Sequence, residues 1–189
     1  FLLAYSTVSL SHDDVYSLAS GVILAIGLVS IVIKMGWFEL EVFGILSSYL
    51  NHLYWLYRLL GPEGAHGHAF PEYQASTALL LFYWLTYRIS YVVRKVNSPY
   101  EEHISTAAAL LNTLLLLGSM KFQSVRPELA FVALLGIGAV EFSLGQIPIT
   151  KRRREAFIVL SVLGSALMIG AVPFRYSGNN VALLWLMGG

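Results

Sequence analysis

The sequence predicts an all-α fold, a polytopic transmembrane helical bundle with about six full crossings and a partial helix at each end. Three observations carry this. Of the 189 residues, 57% are hydrophobic and only 12% charged, with a mean hydropathy of +0.67. A soluble domain carries about 25% charged residues, so this chain has too little polar surface to cover a globule in water. Second, the apolar residues fall into blocks of about 20, the length a helix needs to cross roughly 30 Å of hydrocarbon at 1.5 Å per residue. Third, the blocks do not alternate in polarity. In lipid only helices and closed barrels satisfy every backbone group, and unalternating blocks of this length are helices.

Taken in order, "FLLAYSTVSL" at 1–10 reads as the last turns of a helix. Full crossings follow at about 15–34, 37–59, 74–93, 103–120, 128–147 and 157–173, and another helix starts at 180–189. The connectors hold turn chemistry: Gly61-Pro62, Asn97-Ser98-Pro99, Arg126-Pro127, Ile147-Pro148 and Ser177-Gly178-Asn179. Most are short, which makes successive helices antiparallel neighbours. Both ends read as cut, so the expectation is one membrane-embedded segment, 1–189, of a longer protein. Phe1 opens inside an apolar run with no basic region before it, so no cleavable signal peptide is visible.

The twelve Lys and Arg set the expected orientation. One series of alternate connectors holds Lys34, Arg88, Arg94, Lys95, Lys151, Arg152, Arg153 and Arg154; the other holds Arg58, Lys121, Arg126 and Arg175. Positive loops stay cytoplasmic. The basic loop 148–156 is then cytosolic and the loop 61–73 external, in a bacterial cytoplasmic (inner) membrane. A net charge of +1 with no basic patch gives no reason to expect nucleic acid, and zero cysteines exclude disulfides and thiolate chemistry. The expected partners are the lipid bilayer and further transmembrane helices, of the same longer chain or of a complex.

Polar residues in hydrocarbon cost several kcal/mol unless paired, so they face protein or a water-filled cavity. At 100° per residue, Glu41, Gly44, Ser48, Asn51, His52, Trp55 and Arg58 share an arc of about 120°, with Val42, Leu46, Leu50, Leu53 and Tyr57 opposite. The helix 37–59 is therefore two-faced, its polar side either a packed seam or the lining of a path. Glu41, Arg88 and Glu141 lie at similar depth. Arg88 is expected to pair with Glu41 or Glu141, or to snorkel with Glu41 to the headgroups. Glu41, Asn51, His52, Arg58, Arg88 and Glu141 together form the expected intramembrane polar network. Gly138 and Gly145 flank Glu141 and let another backbone approach; Ser17, Gly21 and Ala25, Ala139 and Ser143, and Ser161 and Ser165 repeat small residues at the same four-residue spacing.

The loop "GPEGAHGHAFPE" at 61–72 offers His66 and His68 with Glu63 and Glu72 as nitrogen and oxygen metal ligands. It lacks the fixed spacing that His-Glu-x-x-His obtains from a helix, and a solvated turn accounts for it as well. His52 and His103 raise axial ligation of a haem or other tetrapyrrole, with His52 the candidate inside a helix. No cofactor is expected. Asp13-Asp14 and Glu101-Glu102 sit at helix starts, where they oppose the positive end of the dipole; Asp13 also stays a candidate catalytic base beside His52. There is no Walker loop, no Gly-x-Ser-x-Gly elbow and no Arg-rich voltage-sensor helix.

The stretch "AVPFRYSGNNVALLWLMGG" at 171–189 resembles a recurring unit of a family of uncharacterised bacterial predicted multi-pass membrane proteins, a domain of unknown function. In that unit a helix ends at a Pro, a Gly-containing link follows, and the next helix carries a Trp and then small residues. Pro173, Gly178, Trp185 and Gly188-Gly189 occupy those positions, and "STAAALLNTLLLLGS" at 105–119 is similar in character, so the likeness spans mainly 102–189. The resemblance implies an architecture of strung membrane helices and no catalytic residue. Two functions stay open: a structural or accessory helical module, more an interaction protein than an enzyme, or a transporter or membrane-embedded enzyme using the polar face of 37–59. A pigment- or haem-binding subunit is a further alternative.

Overall fold

The computed structural model describes residues 14–65 and 73–176. Every regular element among them is helical: α1 Asp14–Met35, α2 Phe38–Leu60, α3 Tyr73–Val93, α4 Pro99–Gln123, α5 Pro127–Gln146, a single turn α6 Pro148–Lys151, and α7 Arg154–Ala171, closed by a 3-10 turn Val172–Phe174. They fall into two compact units, one as far as Ser124 and the other from Val125 onward.

Local chemistry sets the helix limits. Gly36 and Gly61 adopt positive φ (71° and 77°) just past the ends of α1 and α2, where only glycine turns the chain without strain. Pro99, Pro127 and Pro148 each occupy a first helical turn, where no N–H partner is lost. Ser98 caps α4 by accepting from the Glu101 N–H, while the Glu101 carboxylate accepts from the Asn97 N–H. Glu101 thus fills the expected helix-start role.

In the first unit α1 packs against α2 and α3, and α4 packs against the same two helices. The ring order is therefore α1, α2, α4, α3. Helices α2 and α3 meet only sparingly across the ring, which corrects the expectation that every successive pair are neighbours. The physical reason is the connector: the chain between Leu60 and Tyr73 is long enough to cross the bundle end, unlike the turns at 36–37 and 94–98. Its start is pinned to α4, since the Ala65 N–H donates to the Phe122 carbonyl at 3.2 Å. Gly64, at φ +70°, lies so close that a Cβ there would sit 2.6 Å from that same oxygen.

In the second unit α5 and α7 lie against each other along their length. A Cβ on Gly138 would fall 2.8 Å from the Gly164 carbonyl oxygen, and one on Gly145 would fall 3.0 Å from the Ser161 hydroxyl. The backbone approach expected beside Glu141 is this crossing, with Glu141 itself buried. Ala139 and Ser143 face outward instead.

By length and composition, three helices among the described residues can cross a membrane: Pro99–Gln123, Pro127–Gln146 and Arg154–Phe174. That is fewer than six full crossings. At 23 and 21 residues, α2 and α3 are long enough but hold no stretch as apolar as those three do, and the apolar part of α1, Ser20–Met35, is shorter. The cause lies in their faces, because the inward sides of α2 and α3 carry polar and charged groups.

Candidate functional site: the polar interior of the first unit

The interior of the first unit is built from residues at helical spacing on three helices. Glu41, Gly44, Ser48, His52 and Trp55 of α2 are buried, together with Ile45, Tyr49 and Leu56. From α3 come Ser76, Leu80, Tyr83, Tyr87 and Ser90, with Arg94 just beyond its end; from α4 come Ser105, Ala109, Asn112, Leu116 and Gln123. Helix α1 contributes an apolar strip, Leu18, Gly21, Ala25, Val29 and Val32. Large apolar side chains meanwhile point outward, among them Ile23 (71% exposed), Phe43, Leu50, Phe82 and Leu114.

The polar groups form three successive clusters. At the end near the α1–α2 turn, Glu41 makes an ion pair with Arg94. The Arg94 guanidinium also donates to the hydroxyls of Ser105 (2.7 Å) and Ser90 (3.0 Å), and it lies 5.0 Å from the Phe38 ring centre. The other Glu41 oxygen, Oε1, has no hydrogen-bond partner among the described residues.

In the middle, Arg88 is fully buried. Its Nη2 donates to the Ala109 carbonyl at 3.0 Å and to the Thr113 hydroxyl at 2.6 Å, and Trp84 Nε1 donates to the same hydroxyl at 3.2 Å. Asn112 ties three helices together: its amide nitrogen donates to the Trp84 carbonyl at 2.9 Å, and its oxygen accepts from the Tyr49 hydroxyl at 3.0 Å. Ser48 and Tyr87 share a hydrogen bond of 2.9 Å.

Towards the α2–α3 connector, His52 Nε2 lies 2.8 Å from the Ser76 hydroxyl. That hydroxyl donates to Gln123 Oε1 at 2.6 Å, and the Gln123 amide nitrogen in turn donates to Thr77. A hydroxyl has one proton. Since Ser76 gives it to Gln123, His52 must donate from Nε2 and carry its lone pair on Nδ1. In this arrangement the Ser76 proton is directed at Gln123 and away from the imidazole. Tyr83 closes this cluster by donating to the Leu18 carbonyl at 3.1 Å.

Of the residues expected in the intramembrane network, Glu41, His52 and Arg88 are brought into one interior, Asn51 is half-buried on its margin and Arg58 is exposed. The partner of the Glu41 carboxylate is Arg94, and Arg88 bonds to a carbonyl and a hydroxyl of α4. Glu141 belongs to the second unit, fully buried. Asp13, His66, His68 and Glu72 lie outside the described residues, and Glu63 is exposed in the turn after α2. Arg94 escapes sequence reasoning because it sits past the last apolar residue of its helix and reads as a connector charge. Tyr49, Ser76, Asn112, Thr113 and Gln123 escape it because, in sequence, α2 alone stands out as two-faced. The positions 76, 80, 83, 87, 90 and 94, and 105, 109, 112, 116, 119 and 123, show the same spacing of three or four.

No family model matches the chain, and neither a curated protein nor a solved structure matches it.

Proposed function

We propose that the chain is an integral multi-pass membrane module whose task is assembly, presenting a rigid polar-cored bundle to further membrane helices. The observation that carries this reading is the inverted distribution of the first unit, with Arg88, Glu41, Arg94, His52 and Gln123 inside and Ile23, Phe43, Leu50 and Phe82 outside. Water around that exterior would be unfavourable; hydrocarbon would not. On this reading α1, α2 and α3 also lie in the membrane. Their modest average hydropathy reflects one face that never meets lipid. The interior bonds run between helices and use most donors and acceptors, as in a packed seam whose polar contacts fix helix register. The basic turn 151–154 is read as cytosolic and the loop 61–73 as external, in a bacterial inner membrane.

The chain has no cysteine, so single cysteine variants test the reading directly. Ile23→Cys, Leu50→Cys and Phe82→Cys should resist a water-soluble maleimide in membranes and react once the protein is denatured. Rapid labelling of all three in native membranes contradicts the reading.

A second reading, transport or catalysis through this interior, is favoured by two buried atoms without hydrogen-bond partners among the described residues, Glu41 Oε1 and His52 Nδ1. Proton or solute flux into liposomes that is lost in Glu41→Gln and His52→Gln would move the assignment to it.

A further inference from the structure

We propose that the outward face at the end of α5, together with the basic turn that follows it, docks one anionic phospholipid. The inference rests on the membrane reading above but concerns a different unit. A shallow groove of about 280 Å³ is lined by Ala139, Val140, Ser143, Leu144 and Ile147, one continuous face of α5. It ends where the helix ends. Ile147 is extended (φ −68°, ψ 148°), and Pro148 starts the single turn α6. From the last residue of that turn to the first of α7 run four consecutive basic residues, Lys151, Arg152, Arg153 and Arg154, of which Lys151, Arg152 and Arg154 are exposed.

The chemistry along this face is graded as a phospholipid is. The cationic residues begin four positions after Ile147, at the same end of the helix as the last lining residue, and a phosphate would lie there. Ser143 is exposed and sits four residues before Ile147, about 6 Å deeper along the helix, at the depth of the glycerol ester oxygens. Ala139 and Val140 follow one turn further in. Ala139 is small enough to leave the groove open, which an acyl chain fills better than a bulky neighbouring side chain could. Charge selects the occupant: a zwitterionic headgroup gains little from four adjacent cations, whereas each basic residue near an anionic headgroup strengthens attraction by about fivefold.

The test uses the full chain in phosphatidylcholine nanodiscs, with short-chain phosphatidylglycerol added and retention read by native mass spectrometry. Wild type should hold one phosphatidylglycerol at least tenfold more tightly than short-chain phosphatidylcholine, with inorganic phosphate a poor competitor. The variant Lys151→Gln/Arg152→Gln/Arg154→Gln should lose that affinity by roughly a hundredfold at about fivefold per charge. Ala139→Phe keeps every charge and should lose retention by blocking the groove. Equal binding of both lipids, unchanged binding by the charge variant, undiminished binding by Ala139→Phe, or displacement by phosphate as effective as by lipid overturns the proposal. If Ala139→Phe fails to fold, the charge variant and the phosphate competition still decide. Wild type that never enters the discs overturns the membrane reading itself, whereas entry without lipid preference overturns this site alone.

Discussion

Glu41 and Arg94 lie 53 residues apart in sequence and meet as an ion pair whose side chains are 2% and 1% exposed. The pair joins the first turn of α2 to the chain just past α3, two helices that are otherwise sparingly in contact across the ring. Removing one partner leaves an uncompensated buried charge. Glu41→Gln or Arg94→Gln should therefore cost about 3–5 kcal/mol, while Glu41→Leu/Arg94→Met should cost clearly less than the sum. Thermal or denaturant unfolding in detergent measures this. Additive losses would show that the two groups are separately solvated.

Asn112 offers a second, independent joint. Its side chain bridges Tyr49 of α2 and the Trp84 carbonyl of α3. Interhelical hydrogen bonds in membrane proteins average about 0.6 kcal/mol, with a maximum near 1.7. A double-mutant cycle of Tyr49→Phe and Asn112→Leu should return a coupling energy in that range. A coupling indistinguishable from zero means that the hydrogen bond does not form.

The α5–α7 crossing depends on the absence of side chains. A Cβ on Gly164 would lie 2.5 Å from the Phe142 backbone nitrogen and 2.7 Å from the Gly138 carbonyl oxygen. Backbone cannot yield as a side-chain tip can, so Gly164→Ala should destabilise by about 1–3 kcal/mol through overpacking. A Cβ on Gly136 would meet nothing within 4 Å, so Gly136→Ala on α5 should be neutral or mildly stabilising. Equal unfolding midpoints for the two variants would remove the close crossing.

How much of this is legible in the sequence follows from period and from depth. The polar arc of α2 is readable because Glu41, Ser48 and His52 interrupt a strongly apolar run at helical spacing, and the structure buries those three. The inward faces of α3 and α4 have the same spacing, but Ser, Thr and Tyr are ambiguous between a polar seam and ordinary membrane helix, so they do not stand out. The partner of Glu41 is hidden for a geometric reason. Depth counting favours Arg88, yet an arginine just past a helix end can fold back onto its own last turn, as Arg94 does towards the Ser90 carbonyl. Arg88 instead reaches α4. The ring order is hidden because it depends on the length of the loop after Leu60, and loop length permits a diagonal crossing without requiring one.

Sidedness yields the last prediction. Within the first unit, the meeting of Glu41 with Arg94 puts the turns at 36–37 and 94–98 at one end, and the contact of Ala65 with Phe122 puts residues 61–65 at the other. Lys34, Arg94 and Lys95 thus gather at the first end, while Arg58 and Lys121 belong to the second. On the proposed membrane reading, the positive-inside rule predicts that the first end is cytosolic. If α5 then crosses once, the turn after Ile147 returns to the cytosolic side. In intact cells an impermeant maleimide should label Pro62→Cys, and it should reach Ile149→Cys, 47% exposed in the native protein, only after permeabilisation. Labelling of both from the same side would mean that α4 and α5 do not cross as a pair, which would overturn the predicted sidedness.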